Sequence, residues 1–264
     1  AYHEAAFAVI NGLVAGLSTK VALSTSYRYY ESTYEAIYTR AFAENSRPVN
    51  EKGFYTGISI NPNKRWRWNT YIDLFSFPVP QYKSDAPAVG RDLLTQVNYT
   101  PSRSLSMYMR YRYIEKQENQ EEEAAISHLT TLIKSNFRYQ IEYKINDHLT
   151  LQNRFEWLMY SKELTKVYSS LLYQDMRYQF KKARITIDAR YTLFDIGDYA
   201  ARMYALEQDA PGAYSMALLQ KDGLRWYILM RKTISKGIDV WIRYARLSYE
   251  NTKTIGSGNE MIEG

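Results

Sequence analysis

The chain has 264 residues, a formal net charge of +6, no cysteine, and 26 tyrosines against 9 phenylalanines and 5 tryptophans. Its length suits one large all-β unit or two smaller domains. The absence of cysteine excludes a disulfide framework, and no apolar run approaches the roughly 18 residues that a membrane-spanning helix needs. The excess of tyrosine is typical of the aromatic girdles of outer-membrane barrels, although tyrosine also simply suits β-strands.

Six short turns divide the chain, near residues 18–20, 61–64, 100–103, 146–148, 181–183 and 235–237. Successive turns lie about 36 to 54 residues apart, which accommodates two strands and one longer connection. The chain therefore reads as six β-hairpins, or twelve strands.

The stretch 104–114 shows the strand pattern most clearly. Leu105 and Met109 fall on one side of it, and Arg110 and Arg112 fall on the other. A period of two indicates a β-strand, because successive side chains point to opposite faces of a sheet. A soluble sandwich and an outer-membrane barrel share this pattern, and its repetition along nearly the whole chain favours the barrel.

The predicted fold class is therefore an all-β, antiparallel transmembrane β-barrel of outer-membrane type. Since short turns lie on the periplasmic side of such barrels, the first strand is entered from outside and the last one also ends outside. A barrel has no unpaired edge in lipid, so we expect flanking strands beyond residues 1–264 and a total of 14 or more. Residues 1–264 are accordingly predicted to be a partial barrel domain.

The longer connections are predicted at 31–52, 78–91, 115–134 and 195–223. The third contains Glu121, Glu122 and Glu123, a run of like charge that is typical of a solvated loop. The last is the longest. It holds either further strands around 202–208 and 213–219 or a loop folded into the mouth of the barrel.

One face of the predicted strands is polar and rich in arginine. The lumen-lining candidates are Arg65, Arg67, Asp73, Arg110, Arg112, Arg138, Glu142, Arg154, Glu156, Asp175, Arg177, Asp188, Arg190, Arg225, Arg231 and Arg243. The polar face also carries Arg28, Arg184, Asp92 and Asp239. An arginine surplus in a lumen favours anions, whereas arginines and acids paired across neighbouring strands would only fill and rigidify the interior.

The other face is apolar and aromatic. The lipid-facing candidates on it are Trp66, Trp68, Leu105, Met107, Met109, Phe155, Trp157, Trp226 and Ile242. Most aromatic residues are thus predicted on the face opposite the arginines. Stacking of single-stranded nucleic acid, which needs aromatic and basic groups on one face, is a minor hypothesis for this reason.

Catalytic and metal-binding patterns are weak. His3, His128 and His148 fall in separate regions without a metal-ligand spacing, and Ser127–His128 is an adjacency in sequence only. Gly256 and Gly258 lack the following lysine and helix of a phosphate-binding loop. We therefore predict no enzyme activity, no metal and no cofactor.

The C-terminal third resembles the end of a group of Bacteroidota envelope proteins that carry helix-hairpin-helix repeats ahead of an outer-membrane barrel. The resemblance is carried by KDGLRWYILMRK, DVWIRYA and IGSGNEMIEG, and earlier by AFAENSRPVNEKGFYTGISINPNKRW and LFSFPVPQYKSDAPAVGRDLLTQVNYTPSR. It implies a larger protein whose N-terminal repeats, absent from this chain, contact nucleic acid in the periplasm. The shared motifs are structural and none is catalytic.

Two functions are predicted for a protein of the bacterial outer membrane. The first is a porin-like pore or transport conduit whose arginine-rich lumen favours anionic solutes. The alternative is a plugged structural barrel that serves as a subunit or anchor of an envelope complex. The expected partners are outer-membrane lipid and other envelope proteins, with nucleic acid only through the absent N-terminal domain.

Overall fold

The computed structural model describes residues 6–35, 41–121, 127–250, 254–255 and 262–263, and these residues form an all-β protein. The helical structure in this part of the chain is one 3-10 turn at Tyr199–Ala201. Among the described residues, no helix is long and apolar enough to cross a bilayer. The predictions for His3, Glu122, Glu123, Gly256 and Gly258 concern residues outside the described ranges.

The strands have the following bounds in chain order: β1 (Ala8–Ser18), β2 (Val21–Tyr30), β3 (Glu51–Asn63), β4 (Trp66–Phe77), β5 (Ala88–Ser102), β6 (Leu105–Asn119), β7 (Leu129–Lys144), β8 (Leu149–Lys162), β9 (Thr165–Phe180), β10 (Ile185–Ile196), β11 (Met203–Glu207), β12 (Ser215–Leu219), β13 (Gly223–Ser235), β14 (Ile238–Tyr249), β15 (Thr254–Ile255) and β16 (Ile262–Glu263).

Twelve of these strands form one antiparallel sheet in the order β1 to β10, then β13 and β14. This meander confirms the predicted all-β class, the twelve strands and the six short turns. Within the described residues, no ladder joins β1 to β14. The strand pairs β11–β12 and β15–β16 form separate two-stranded sheets. The first of these pairs lies within 195–223 and confirms the strands predicted there.

Several strands extend into segments that were predicted to be loops. The loop prediction for 115–134 is wrong at both flanks, because β6 continues to Asn119 and β7 begins at Leu129. Likewise β5 begins at Ala88 and β3 at Glu51. The charged residues at these strand ends neutralise one another, as in the Arg91–Glu115 ion pair of 2.7 Å, so the ladder continues without apolar alternation.

Arg65 and Arg184 were predicted on strand faces, and the structure corrects both placements. Arg65 lies in the turn between β3 and β4, and Arg184 lies in the turn between β9 and β10 with a φ of 52°. These turns have two and four residues, and a tight reversal needs backbone angles that a strand does not provide, so both arginines leave the alternating pattern.

The chain divides into two compact units. The first comprises Ala1–Pro101, Tyr108–Phe137 and Met159–Lys166, and it contains a small apolar cluster of Phe75, Phe77 and Ala88. The second comprises Ser102–Met107, Arg138–Leu158 and Val167–Gly264, and it contains the β11–β12 hairpin. Each unit has its own polar strand face with its own set of ion pairs.

Candidate functional site

The two faces of the sheet carry opposite chemistry. Ionisable side chains are buried on the polar face, where the following residues are at most 9% exposed: Arg28, Glu51, Asp73, Asp92, Glu156, Asp188 and Arg190. Large apolar side chains on the other face are 41–60% exposed: Phe54, Trp66, Trp68, Leu74, Met109, Phe155, Leu172, Leu193, Ile228 and Ile242. Charged residues in water-soluble proteins almost never become fully buried unless paired, and exposed apolar patches of this extent mark contact with a partner or a membrane.

The nine residues predicted to face lipid all lie on the apolar face. Six of them are exposed, and Leu105, Met107 and Trp226 are partly exposed. Their rings meet across the ladders: Trp66 stacks on Tyr99 at 4.1 Å between ring centroids, and Trp157 stacks on Tyr168 at 5.5 Å. Such cross-strand aromatic pairs stabilise neighbouring strands.

In the first unit, a fully buried arginine lies between two carboxylates. The Nε of Arg28 donates to Glu51 at 2.5 Å, and both terminal nitrogens donate to the Asp73 carboxylate at 2.8 and 3.0 Å. Gly53 is the register partner of Arg28, and its lack of a side chain leaves room for the guanidinium, because a Cβ there would lie 2.2 Å from Cζ. We call Arg28, Glu51 and Asp73 the Arg28 cluster.

A second ion pair neutralises the carboxylate opposite this cluster. Asp73 and Asp92 are direct register partners on β4 and β5, an arrangement of like charges that would destabilise the pair of strands. Arg112 offsets it by binding Asp92 through two nitrogens, at 3.0 and 2.7 Å, and Tyr71 donates to the same carboxylate at 3.0 Å. Each of the two opposed aspartates therefore has its own arginine.

The connection before β3 folds onto the Arg28 cluster. The backbone N–H of Glu44 donates to both oxygens of Glu51 at 3.0 Å, and the Arg28 guanidinium lies 4.6 Å from the centroid of the Phe42 ring. Tyr30 donates through its hydroxyl to the carbonyl of Phe42 at 2.8 Å. Residues 41–50 thus cover the polar face instead of extending away from it.

Sequence reasoning missed the role of Glu51. It lies at the first position of β3, within the stretch 31–52 that was predicted to be a loop. Its side chain is nevertheless fully buried and holds both Arg28 and the backbone of residues 44 and 45. Only the register of Arg28 opposite Gly53 could have pointed to it, and that register depends on the folded ladder.

In the second unit, most of the predicted polar-face residues are paired. Arg190 binds Asp175 through two nitrogens at 2.5 and 2.7 Å. The other pairs are Arg177–Asp188 at 2.5 Å, Arg138–Glu156 at 2.6 Å, Arg231–Asp239 at 2.9 Å and the hydrogen bond from Arg154 to Gln140 at 2.6 Å. The predicted residue Glu142 is exposed and lines a cavity of about 270 Å³. The predicted residue Arg110 belongs to the first unit, where it is half-buried.

The β11–β12 hairpin lies on the polar face of β10, β13 and β14. Glu207, at the end of β11, accepts hydrogen bonds from Arg225 at 2.6 and 2.8 Å and also binds Arg243. Arg190 donates to the carbonyl of Leu206 at 2.7 Å, and the backbone N–H of Gln208 donates to the Tyr227 hydroxyl at 3.2 Å. The hairpin is therefore fixed to this face by ionic and polar contacts.

The tip of this hairpin lies near the end of β13 and β14 at which these two strands are joined by their turn. Asp209 and Pro211 line a cavity of about 340 Å³ together with Arg231 and Trp241, which lie near the turn between β13 and β14. Within the hairpin, Ala205 and Leu219 are buried, whereas Tyr204 and Leu206 are about half exposed. The segment thus runs along most of the length of the strands it covers.

The described residues contain no group of three or more His, Cys, Asp or Glu side chains placed to bind a metal ion. His148 binds the carbonyl of Gln179 through Nδ1 at 2.8 Å. His128 lies in the connection between β6 and β7, where its carbonyl accepts a hydrogen bond from the backbone N–H of Gln120. The statements on enzyme activity and cofactors stay predictions.

Comparison with protein-family models gives no match, and comparison with curated proteins gives no match either. The resemblance to helix-hairpin-helix envelope proteins of Bacteroidota therefore stays a prediction.

We expect Gly53→Ala to destabilise the fold, because the new Cβ displaces the Arg28 guanidinium from its two buried carboxylates. Loss of buried ion-pair geometry should lower the free energy of unfolding by about 2 kcal/mol or more. The measurement is urea-induced unfolding followed by tryptophan fluorescence. Gly16→Ala is the matched control, since a Cβ there has no neighbouring atom within 4 Å. Equal midpoints for the two variants would contradict the role of the Arg28 cluster.

Glu44 gives a pH-dependent prediction. Burial raises the pKa of its carboxyl, with Lys116 and Arg112 opposing the shift and Asp92 and Glu51 adding to it. The resulting penalty on folding is complete above the raised pKa, shrinks as the pH falls below that value, and is absent below the ordinary pKa of a glutamate. Glu44→Gln should be more stable than the wild type at pH 7.5, with a difference that shrinks towards pH 4. Ser46→Ala, at an exposed position of the same loop, should show no such trend.

Proposed function

We propose that the chain forms part of an outer-membrane β-barrel whose interior is occupied by its own segments. The observation that carries the proposal is the reversed distribution of side chains, with ion pairs buried on one face of the sheet and aromatic and aliphatic groups exposed on the other. Lipid is the environment in which such an exposed face is stable, and a polar lumen is where the charged face belongs.

The β11–β12 hairpin supports a plugged barrel over an open pore. It lies on the polar face of three strands, so in a barrel it occupies the lumen. The arginines beneath it are neutralised by Asp175 and Glu207, which weakens the case for an anion-selective surface there. Residues 41–50 cover the polar face of the first unit in the same way. A barrel filled by its own segments suits an anchor or a subunit of an envelope complex.

One observation favours a second candidate, a gated conduit for anionic solutes. The hairpin is hydrogen-bonded as a separate two-stranded sheet and is not part of the twelve-stranded ladder. It is fixed through Glu207, Arg190 and Tyr227, contacts that water can replace if the hairpin moves away. Its departure would expose Arg190, Arg225 and Arg243 together, and arginine-lined pores favour anions.

The membrane position can be tested with two neighbouring residues on opposite faces. The chain has no cysteine, so Ile242→Cys and Trp241→Cys each introduce a single labelling site. We expect a bimane label at 242 to be quenched strongly by brominated lipid in vesicles, because Ile242 is 60% exposed on the apolar face. The label at 241, on the polar face, should be quenched weakly. Equal quenching at both positions would contradict a lipid-facing sheet.

The role of the hairpin can be tested by conductance in planar bilayers. Deletion of 203–219 should convert a silent barrel into a stably conducting one, whereas Glu207→Gln should produce brief openings if the hairpin is a gate. Glu163→Gln, in the two-residue turn between β8 and β9, removes the same charge from a side chain whose described contact is the backbone N–H of Glu121, and it should have no effect. A deletion variant that folds, as shown by heat-modifiable gel mobility, but gives no conductance would contradict both the plugged barrel and the gated conduit.

A further inference from the structure

The end of β1 to β5 that carries the turns near residues 18–20, 61–64 and 100–103 differs in charge from the rest of the polar face. A cavity of about 760 Å³ lies there, and twelve residues line it, among them Asn61, Trp66, Gln96 and Asn98. Four of these residues are cations, five are amides and none is a carboxylate. We call Lys20, Lys64, Arg65 and Arg67 the basic rim.

The basic rim is not neutralised by the acids that pair with the arginines elsewhere. Among the described residues, none of its four members forms an ion pair. The nearest carboxylates along the same strands are those of Asp73 and Asp92, six residues from Arg67 and Asn98, or about 20 Å at the rise of a β-strand. Both of those carboxylates are already bound to arginine.

Amide side chains position Arg67 within the basic rim. The Nε of Arg67 donates to Asn61 at 3.3 Å, Asn98 donates to the backbone carbonyl of Arg67 at 3.3 Å, and Gln96 donates to Asn98 at 2.8 Å. These contacts position Arg67 through its Nε and its backbone without cancelling its charge. The guanidinium therefore keeps the planar donor geometry that recognises phosphate.

We propose that the basic rim binds a phosphate-bearing anion. Converging cations from two separate turns give a local positive potential, and amide donors supply the hydrogen bonds that a phosphate accepts. The volume accommodates a group with more than one anionic centre. The phosphate can belong to a free solute or to the headgroup of a phospholipid in the leaflet next to the turns, since Trp66 and Tyr99 form a stacked aromatic pair beside the cavity. The headgroup source rests on the membrane position proposed above, whereas the solute source does not.

The test compares two triple variants that remove the same charge. Lys64→Gln/Arg65→Gln/Arg67→Gln alters the basic rim, and Lys181→Gln/Lys182→Gln/Arg184→Gln alters the turn between β9 and β10, where Asp147 lies 4.0 Å from Lys181. Pyrophosphate is titrated into the folded protein in zwitterionic detergent at low salt, with calorimetric detection. We expect the rim variant to weaken pyrophosphate binding at least tenfold and the control variant less than twofold.

A second arm distinguishes the source of the phosphate. The proteins are placed in nanodiscs of phosphatidylcholine with a minor fraction of phosphatidylglycerol, and the retained lipid is identified by native mass spectrometry. Enrichment of phosphatidylglycerol that the rim variant loses supports the headgroup, and loss of pyrophosphate binding alone supports a free solute. Equal effects of the two variants in both arms, or no binding in either, would overturn the proposal. The bimane and conductance results do not depend on the basic rim, so a failure here leaves them intact.

Discussion

The pairing of buried arginines with carboxylates is the constraint on which the rest of the structure depends. Taking a charge out of water costs several kcal/mol unless a partner and further hydrogen bonds replace the solvent. Arg28 meets this condition with Glu51 and Asp73, and Arg190 meets it with Asp175 and the carbonyl of Leu206. A strand register that buries an arginine on the polar face must also place an acid within its reach, so the buried ion pairs and the ladder specify one another.

The same interactions bring the connecting segments onto the polar face. A carboxylate can accept more hydrogen bonds than one arginine supplies. Glu51 uses its remaining capacity for the backbone of residues 44 and 45, and Glu207 binds Arg225 and Arg243 at once. The covering segments are therefore extensions of the ion-pair network.

Charge is distributed unevenly along the strands. In the middle of the strands the buried arginines are paired with carboxylates, as Arg28 is with Glu51 and Asp73, and Arg190 with Asp175. The basic rim has no acid among its lining residues. The formal net charge of +6 is thus partly a property of one end of the first unit. A local surplus of this kind acts on ligands far more specifically than the same charge spread over a surface.

The sequence by itself determined the twelve strands of the main sheet, the six short turns and, apart from Arg65 and Arg184, the polar or apolar face of the predicted residues. The order of polar and apolar residues carries this information, because side chains alternate between the two faces of a strand with a period of two. It also revealed that residues near 202–208 and 213–219 could be strands. Only the tertiary structure decided which acid each arginine binds, since Arg112 reaches Asp92 across 20 positions and Arg243 reaches Glu207 across 36. The buried position of Glu51, the extension of β5 and β6 into polar segments, and the position of the hairpin on the polar face have the same cause. They depend on contacts between residues distant in the chain, which local alternation does not encode.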